Sequence, residues 1–377
     1  MSRILLFACD PGGANTIIPL IEPLRMSGHE LLLFGKDVAL DRYRQAGLDC
    51  NDIMAMVKNV GSDAILQFVD KVAPDVLVTG TSANDFTEKL LWNACSELNI
   101  PSLAIVDQWC NYGLRFSGYG VSRIESYRKN ETFAYLPTRI AAMDEHARTE
   151  MIAEGLPGER IVVCGQPHFE TLLAKRGDSA EIARCCAANS IAPGDSVVVF
   201  ASEPLTTTYG ENVCRYWGYS EISILEALVS SLEIVAGESE QPVVLIVRPH
   251  PKENSERFFS IINSCRRFRC LLDTVSASRS LMTRADLVCG MSSMFLIESV
   301  ILKRSVMSIQ IGLCREDPFI LARRMLIRSI LTEKDLTDQL RRGILQRDLL
   351  LPEFEVIGNP VERVVIEIES LICQNSL

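Results

Sequence analysis

Apolar residues in this chain gather in short runs, and between the runs they recur every three or four positions. Short runs bounded by turn residues predict strands buried on both faces, and the intervening period predicts helices. Ile4–Ala8 reads as a first strand, Ala14–Met26 as a helix and Glu30–Phe34 as a second strand. Val76–Val78 and Leu103–Val106 follow as buried strands with a helix around Glu88–Glu97 between them, and Ile140–Met143 and Ile161–Cys164 continue the pattern.

The texture changes after Gly165-Gln166-Pro167-His168, where His168 is read as marking a hinge. A polar helical stretch runs to about Asn189, and the turn Ala192-Pro193-Gly194-Asp195 introduces a fresh strand at Val197–Ala201. The alternation then repeats with Val243–Val247, a helix from Glu253, Phe268–Leu272, Asp286–Cys289, a helix from Met294 and Val306–Ile309. Val364, Val365, Ile368, Leu371 and Ile372 keep helical spacing and predict a closing helix, with Glu367 and Glu369 solvated on it. At 377 residues the chain exceeds what one core usually supports. The expected fold class is α/β, with two doubly wound parallel-sheet domains facing each other across a cleft. Their expected spans are 1–180 and 190–358, with the closing helix over 359–377 and the boundary near 175–190.

Composition narrows the class of function. An apolar fraction of 47% with 23% charged residues is that of a globular protein, and a net charge of −10 argues against a general nucleic-acid surface. Thirteen cysteines are an odd count with no C-x-x-C pair, so they read as reduced thiols of a cytoplasmic protein rather than a disulfide or zinc framework. The apolar run before Cys9 is too short for a signal peptide and is ended by Asp10-Pro11-Gly12-Gly13. No stretch approaches the roughly 20 apolar residues of a membrane span.

Ligands of open α/β sheets lie beyond the carboxyl ends of the strands, so the segments that follow strands carry the candidate chemistry. Asp10-Pro11-Gly12-Gly13-Ala14-Asn15 opens a helix, and Gly12, Gly13 and Asn15 are placed near a ligand or in a tight structural turn. The segment is neither a dinucleotide fingerprint nor a P-loop. Asp107-Gln108-Trp109 puts a carboxylate beside an aromatic ring, either to handle a proton and stack on a polar ring or to cap a turn. Arg248-Pro249-His250-Pro251 holds a histidine between two prolines at a strand end, with an arginine that can fork onto phosphate oxygens. Ser292-Ser293 precede a helix carrying Glu298, and they read as an N-cap or as an anion site on the helix dipole. Glu203, after Val197–Ala201, adds a carboxylate near the aromatic loop from Tyr209 to Tyr219.

The strand-end His-Pro and the Ser-Ser before an acidic helix resemble the donor half of GT-B-fold glycosyltransferases. The likeness is to bacterial sialyltransferases, capsule Kdo transferases and CDP-glycerol glycerophosphotransferases, loosely over the two-domain layout and more closely over 248–251 and 290–310. The resemblance implies that His250, Ser292 and Ser293 hold a donor phosphate and that Glu298 contacts ribose or base. The sialyltransferases carry an Asp-Gly motif that Asp107-Gln108-Trp109 does not spell. With no Asp-x-Asp in the chain, the expectation is a metal-independent transferase with no cofactor. Arg248 and His250 would neutralise leaving-group charge and Asp107 would act as base. The partners would be a nucleotide-activated sugar or glycerol-type donor and a glycan or lipid-linked acceptor. A nucleotide-sugar epimerase or hydrolase on the same fold, and a non-catalytic nucleotide- or glycan-binding protein, remain the alternatives.

Overall fold

The computed structural model describes residues 1–57, 59–129, 133–174, 179–210 and 213–375. The chain forms two compact units, residues 1–171 with 356–377 and residues 172–355. Part of the expected boundary, 175–178, lies outside the described residues.

Among the described residues the first unit holds seven strands: β1 (Arg3–Ala8), β2 (Glu30–Gly35), β3 (Asn51–Asp52), β4 (Val76–Thr79), β5 (Ser102–Ile105), β6 (Arg139–Ala142) and β7 (Ile161–Val163). They lie in the order β3-β2-β1-β4-β5-β6-β7, and every pairing is parallel. From Ile4 to Ala8 every residue of β1 is buried, so both faces of the strand are covered and the run is continuously apolar rather than alternating. Ile4, Leu6 and Ala8 pack on Ala14 and Ile17 of the first helix and on Val364, Ile368 and Leu371 of the last. The closing helix, Pro360–Asn375, therefore belongs to the core of the first unit although the chain reaches it only after the second.

The continuous helix expected over Ala14–Met26 is divided. It runs Pro11–Ile17, passes through a 3₁₀ turn at Ile18–Leu20 and resumes at Ile21–Met26. Pro19 and Pro23 lack the N–H that a continuous ladder needs, and each ring crowds the preceding turn.

Among its described residues the second unit has five strands: β8 (Ser196–Ala201), β9 (Val243–Arg248), β10 (Arg269–Leu272), β11 (Leu287–Gly290) and β12 (Ser305–Ser308). Their order is β10-β9-β8-β11-β12, again all parallel. Val198 and Phe200 on β8, Leu245 and Val247 on β9 and Leu287 and Cys289 on β11 share one core with Leu225, Leu228 and Leu232 of the helix Glu221–Glu238. The helix expected from Glu253 begins two residues later as a 3₁₀ turn, Ser255–Phe258. Asn254 caps that turn at the Glu256 N–H, and the Glu253 carboxylate is turned back toward His250. The aromatic loop after β8 contains two short helices, Leu205–Tyr209 and Val213–Trp217.

Candidate functional site

In an open parallel sheet the strand order reverses at one point, and the loops leaving the two strands there diverge. That point lies between β1 and β4 in the first unit and between β8 and β11 in the second.

In the first unit the glycines after β1 are accounted for by the protein itself. A Cβ on Gly12 would sit 1.8 Å from Asp107 Oδ2, and a Cβ on Gly80, just beyond β4, would sit 2.6 Å from the Gly13 Cα. Asn15 accepts from Arg42 Nε and Nη2 at 3.2 and 2.6 Å. The sequence places these residues near a ligand or in a tight structural turn; in the structure Gly13 packs against Gly80 at the β1–β4 junction, Gly12 against Asp107, and Asn15 holds Arg42.

Asp107 is likewise engaged by the protein itself. It is read from the sequence as a base beside Trp109 or as a turn cap; it is 5% exposed, with Oδ1 accepting from Arg115 Nη1 at 2.9 Å and Oδ2 against Gly12. Arg115 Nη1 also donates to the carbonyl and hydroxyl of Thr81 at 2.6 and 2.9 Å. Burial pushes the Asp107 carboxyl up and the Arg115 guanidinium pulls it back. Trp109 is buried too, its indole N–H donating to Asp144 Oδ2 at 2.9 Å and its ring stacked on Phe169. The ring that was expected to stack on a ligand packs the interior instead.

The charged residue that sequence reasoning missed here is Glu88. It is 1% exposed; Oε2 accepts from the Ser82 N–H at 2.5 Å, and Oε1 is buried without a hydrogen-bond partner. Burial, then the charges of Asp10 and Asp85, push this carboxyl well above its usual range. Lys89 beside it is fully buried, donates to the carbonyls of Leu114 and Tyr119, and is pushed down to about 8 by burial. A Glu-Lys pair in the first turn of a helix reads as a solvated face, so the sequence held no signal for either. Cys9, Asp37 and Asp85 bring possible metal-ligand atoms within 4.8 Å of one another. Lys36 already pairs with Asp85 there, and burial pushes the Cys9 thiol up, away from the thiolate a metal would take.

In the second unit, Arg248 ends β9 opposite Ala201 of β8. Its Nη1 donates to Asp273 Oδ1 at 3.1 Å and to the Asp273 carbonyl at 3.3 Å. Burial works to raise the Asp273 carboxyl, but hydrogen bonds from Ser276, Asn189 and Val275 outweigh it and hold it below the usual range. Half-buried His250 follows, its backbone N–H donating to Glu253 Oε2 at 2.6 Å and its Nδ1 accepting from the Lys252 N–H at 3.1 Å. Glu253 Oε1 accepts from Ser202 Oγ at 2.9 Å, and burial pushes this carboxyl up to about 7.

At the β8–β11 reversal, Glu203 reaches the loop after β11. Its two oxygens accept from the Ser292 N–H at 2.5 Å and from Ser292 Oγ at 2.9 Å, and the amides of Met291 and Ser293 are also directed at it. Burial still pushes the Glu203 carboxyl up. Of the two serines read as an N-cap or an anion site, Ser292 is thus engaged by the protein's own Glu203 carboxyl. Ser293 serves as the N-cap of the helix Met294–Ile301, accepting from the Phe295 N–H at 3.1 Å, and Glu298 lies half-buried on that helix.

No protein-family model matches the chain, and no curated protein matches it in sequence. Solved structures do match in fold. The UDP-GlcNAc 2-epimerase from Neisseria meningitidis bound to UDP-GlcNAc is 13% identical, with a TM-score of 0.68 over 98% of this chain and 100% of its own. S. aureus MnaA with UDP is 12% identical, with a TM-score of 0.67 over 99% and 97%. Acinetobacter baumannii MurG is 10% identical, with a TM-score of 0.54 over 98% and 100%.

The chain has the GT-B fold. That bears out the α/β class and the two Rossmann-like sheets expected from the alternation of runs. The second unit brings Arg248, His250, Ser292, Ser293 and Glu203 to the carboxyl ends of β8, β9 and β11. Glu253 is the residue missed there. The Pro-His-Pro-Lys-Glu spelling offered a carboxylate three residues after the histidine, but it was read only as the start of a helix.

Proposed function

We propose that this protein is an enzyme acting on a nucleoside-diphosphate sugar, and that it epimerises or hydrolyses this donor without requiring an acceptor. The observation that carries the reading is the pairing of Arg248 and His250 at the carboxyl end of β9, where a parallel α/β domain takes its ligand. Support comes from a fold shared along nearly the whole chain with UDP-GlcNAc 2-epimerases, among them structures holding UDP and UDP-GlcNAc.

Cleaving a sugar from a diphosphate leaves negative charge on the departing oxygen. A guanidinium and a fixed imidazole N–H aimed at that oxygen stabilise the charge as it forms, without a carboxylate pair that chelates a metal. Arg248 is oriented for this by Asp273, and His250 by its own turn. Glu298 is proposed to contact the nucleoside, on the strength of its helix following the β11 loop.

Transfer to an acceptor hydroxyl in glycan or surface-polysaccharide synthesis is the second reading. It is favoured by the resemblance of Arg248-Pro249-His250-Pro251 to transferase motifs and by the likeness to MurG. Incubation with UDP-GlcNAc and with CMP-, CDP- and GDP-activated sugars, followed by NMR, separates the two. A C2 epimer or free nucleotide appearing without acceptor supports the first reading. Product that forms only when an acceptor is added supports the second. Absence of both turnover and saturable nucleotide binding overturns the proposal.

A further inference from the structure

The turn after β9 fixes more than the position of His250. The Lys252 N–H donates to His250 Nδ1 at 3.1 Å, and a backbone amide has a proton to give and none to take. Nδ1 must therefore present its lone pair, which in a neutral imidazole places the ring proton on Nε2. Protonating Nδ1 would set two N–H groups against each other.

The turn that supplies this amide is itself tied down. Glu253 Oε2 accepts from the His250 N–H at 2.6 Å, the Glu253 N–H donates to the His250 carbonyl at 2.9 Å, and Glu253 Oε1 accepts from Ser202 Oγ at 2.9 Å. Ser202 is buried directly after β8, and its N–H donates to the Arg248 carbonyl at 2.9 Å, so the clamp joins the ends of neighbouring strands. Pro249 and Pro251 on either side of the histidine limit the remaining backbone freedom. The other charged groups that act on Glu253 are Glu221 and Arg257, which pair with each other at 2.8 Å.

We infer that Glu253, clamped by Ser202, is a positioning residue that locks His250 as a neutral Nε2–H donor, so that His250 serves the diphosphate of the substrate as a hydrogen-bond donor and not as a proton acceptor. The inference rests on the proposed nucleotide-sugar reading for the identity of the ligand, and on the turn alone for the state of the ring.

Long-range ¹H–¹⁵N NMR of the labelled full chain, with the His250 signals assigned by their loss in His250→Gln, reads the tautomer directly. The wild type is expected to show an Nε2–H imidazole with unprotonated Nδ1 at pH 7. Glu253→Ala is expected to give a mixture of tautomers and about tenfold weaker binding of UDP and of inorganic pyrophosphate. Glu253→Gln keeps an acceptor for the His250 N–H and should restore both, and Ser202→Ala provides a milder release of the clamp if Glu253→Ala does not fold. An Nδ1–H or imidazolium signal in the wild type at pH 7 overturns the inference. So does a folded Glu253→Ala, or Ser202→Ala in its place, whose tautomer and affinity are unchanged. If the tautomer is locked in the wild type and released in the variants while neither ligand binds, the lock stands and the nucleotide-sugar reading falls.

Discussion

At the strand reversal of the first unit, backbone closes the junction. Gly13 and Gly80 come so near that neither tolerates a side chain without a shift, and Asp107 fills the space left by the missing Cβ of Gly12. At the reversal of the second unit a side chain closes it, the Glu203 carboxylate seated on the amide and hydroxyl of Ser292. The two closures differ in what can replace them. Backbone contact offers no charge and no hydrogen bonds for a ligand to inherit. A carboxylate held by N–H and O–H donors marks a place where another anion would find the same donors. On this comparison we propose that the anion-binding chemistry of this chain lies in the second unit, while in the first unit Asp107 is already paired with Arg115.

Breaking the Arg115–Asp107 pair of the first unit should give the largest effect. Arg115 and Asp107 are both about 5% exposed, and Arg115→Met would leave the Asp107 carboxylate buried without its partner. The expected cost is about 3–5 kcal/mol of stability. Urea unfolding measures it, and Asp107→Asn on the Arg115→Met background should recover part of the loss. If Arg115→Met unfolds at the wild-type midpoint, the Asp107 carboxylate is not held in place by this pair.

Binding in the second unit is the next test. Arg248→Ala should weaken UDP binding by about 1.5–3 kcal/mol, the range for a hydrogen bond to a charged group, while the fold survives. Isothermal titration decides it, and unchanged affinity would remove the anion site from the end of β9.

Proton linkage gives a smaller effect with a definite sign. Glu253 lies near 7 in the folded protein, and the carboxyls of Glu88 and Glu203 are also pushed up by burial. A carboxyl raised in the native state holds a proton there that the unfolded chain has already lost, so the stability that these groups contribute is greatest at low pH. It falls as pH rises from the ordinary carboxylate range through about 7. After allowance for solvent screening, Glu253 contributes about 1–2 kcal/mol to that fall. Thermal melts between pH 5 and 8 should show it, and Glu253→Gln should flatten the slope; a slope unchanged in that variant assigns the linkage to other groups.

Glu203→Gln removes the carboxyl that occupies the β8–β11 reversal while keeping its size. Affinity for pyrophosphate should rise, by up to about tenfold. A fall in affinity would instead make Glu203 a contact of the ligand, as the sequence suggests.

The fold was readable because its signal is repeated. Val197–Ala201 and Val243–Val247 announce parallel strands by unbroken apolar runs, and the two textures either side of Pro167 announce two units. The site was readable only where chemistry is spelled locally, as in Arg248-Pro249-His250-Pro251. What the sequence could not show were partners distant along the chain. Gly12 reads equally as a ligand loop or a tight turn because Asp107, against which it packs, is 95 residues further on by their numbers. Glu203 and Ser292 were both singled out, yet their bond to each other depends on β8 and β11 lying side by side.

The smallest expected effect separates two neighbouring serines and so tests how finely the comparison holds. Ser293 accepts from the Phe295 N–H and is an N-cap, whereas Ser292 gives its N–H and O–H to Glu203. Ser293→Ala should therefore cost about 1 kcal/mol of stability, the usual loss for a capping hydroxyl, with pyrophosphate affinity unchanged. Ser292→Ala leaves the amide in place and removes only the hydroxyl, so its main loss is one hydrogen bond to a carboxylate, or to the anion that replaces it. Its stability and its affinity should move together, each by about 1 kcal/mol. Paired melting and titration curves for the two variants give the answer. If Ser293→Ala weakens binding as much as Ser292→Ala does, both hydroxyls face the anion and the capping role assigned to Ser293 is wrong.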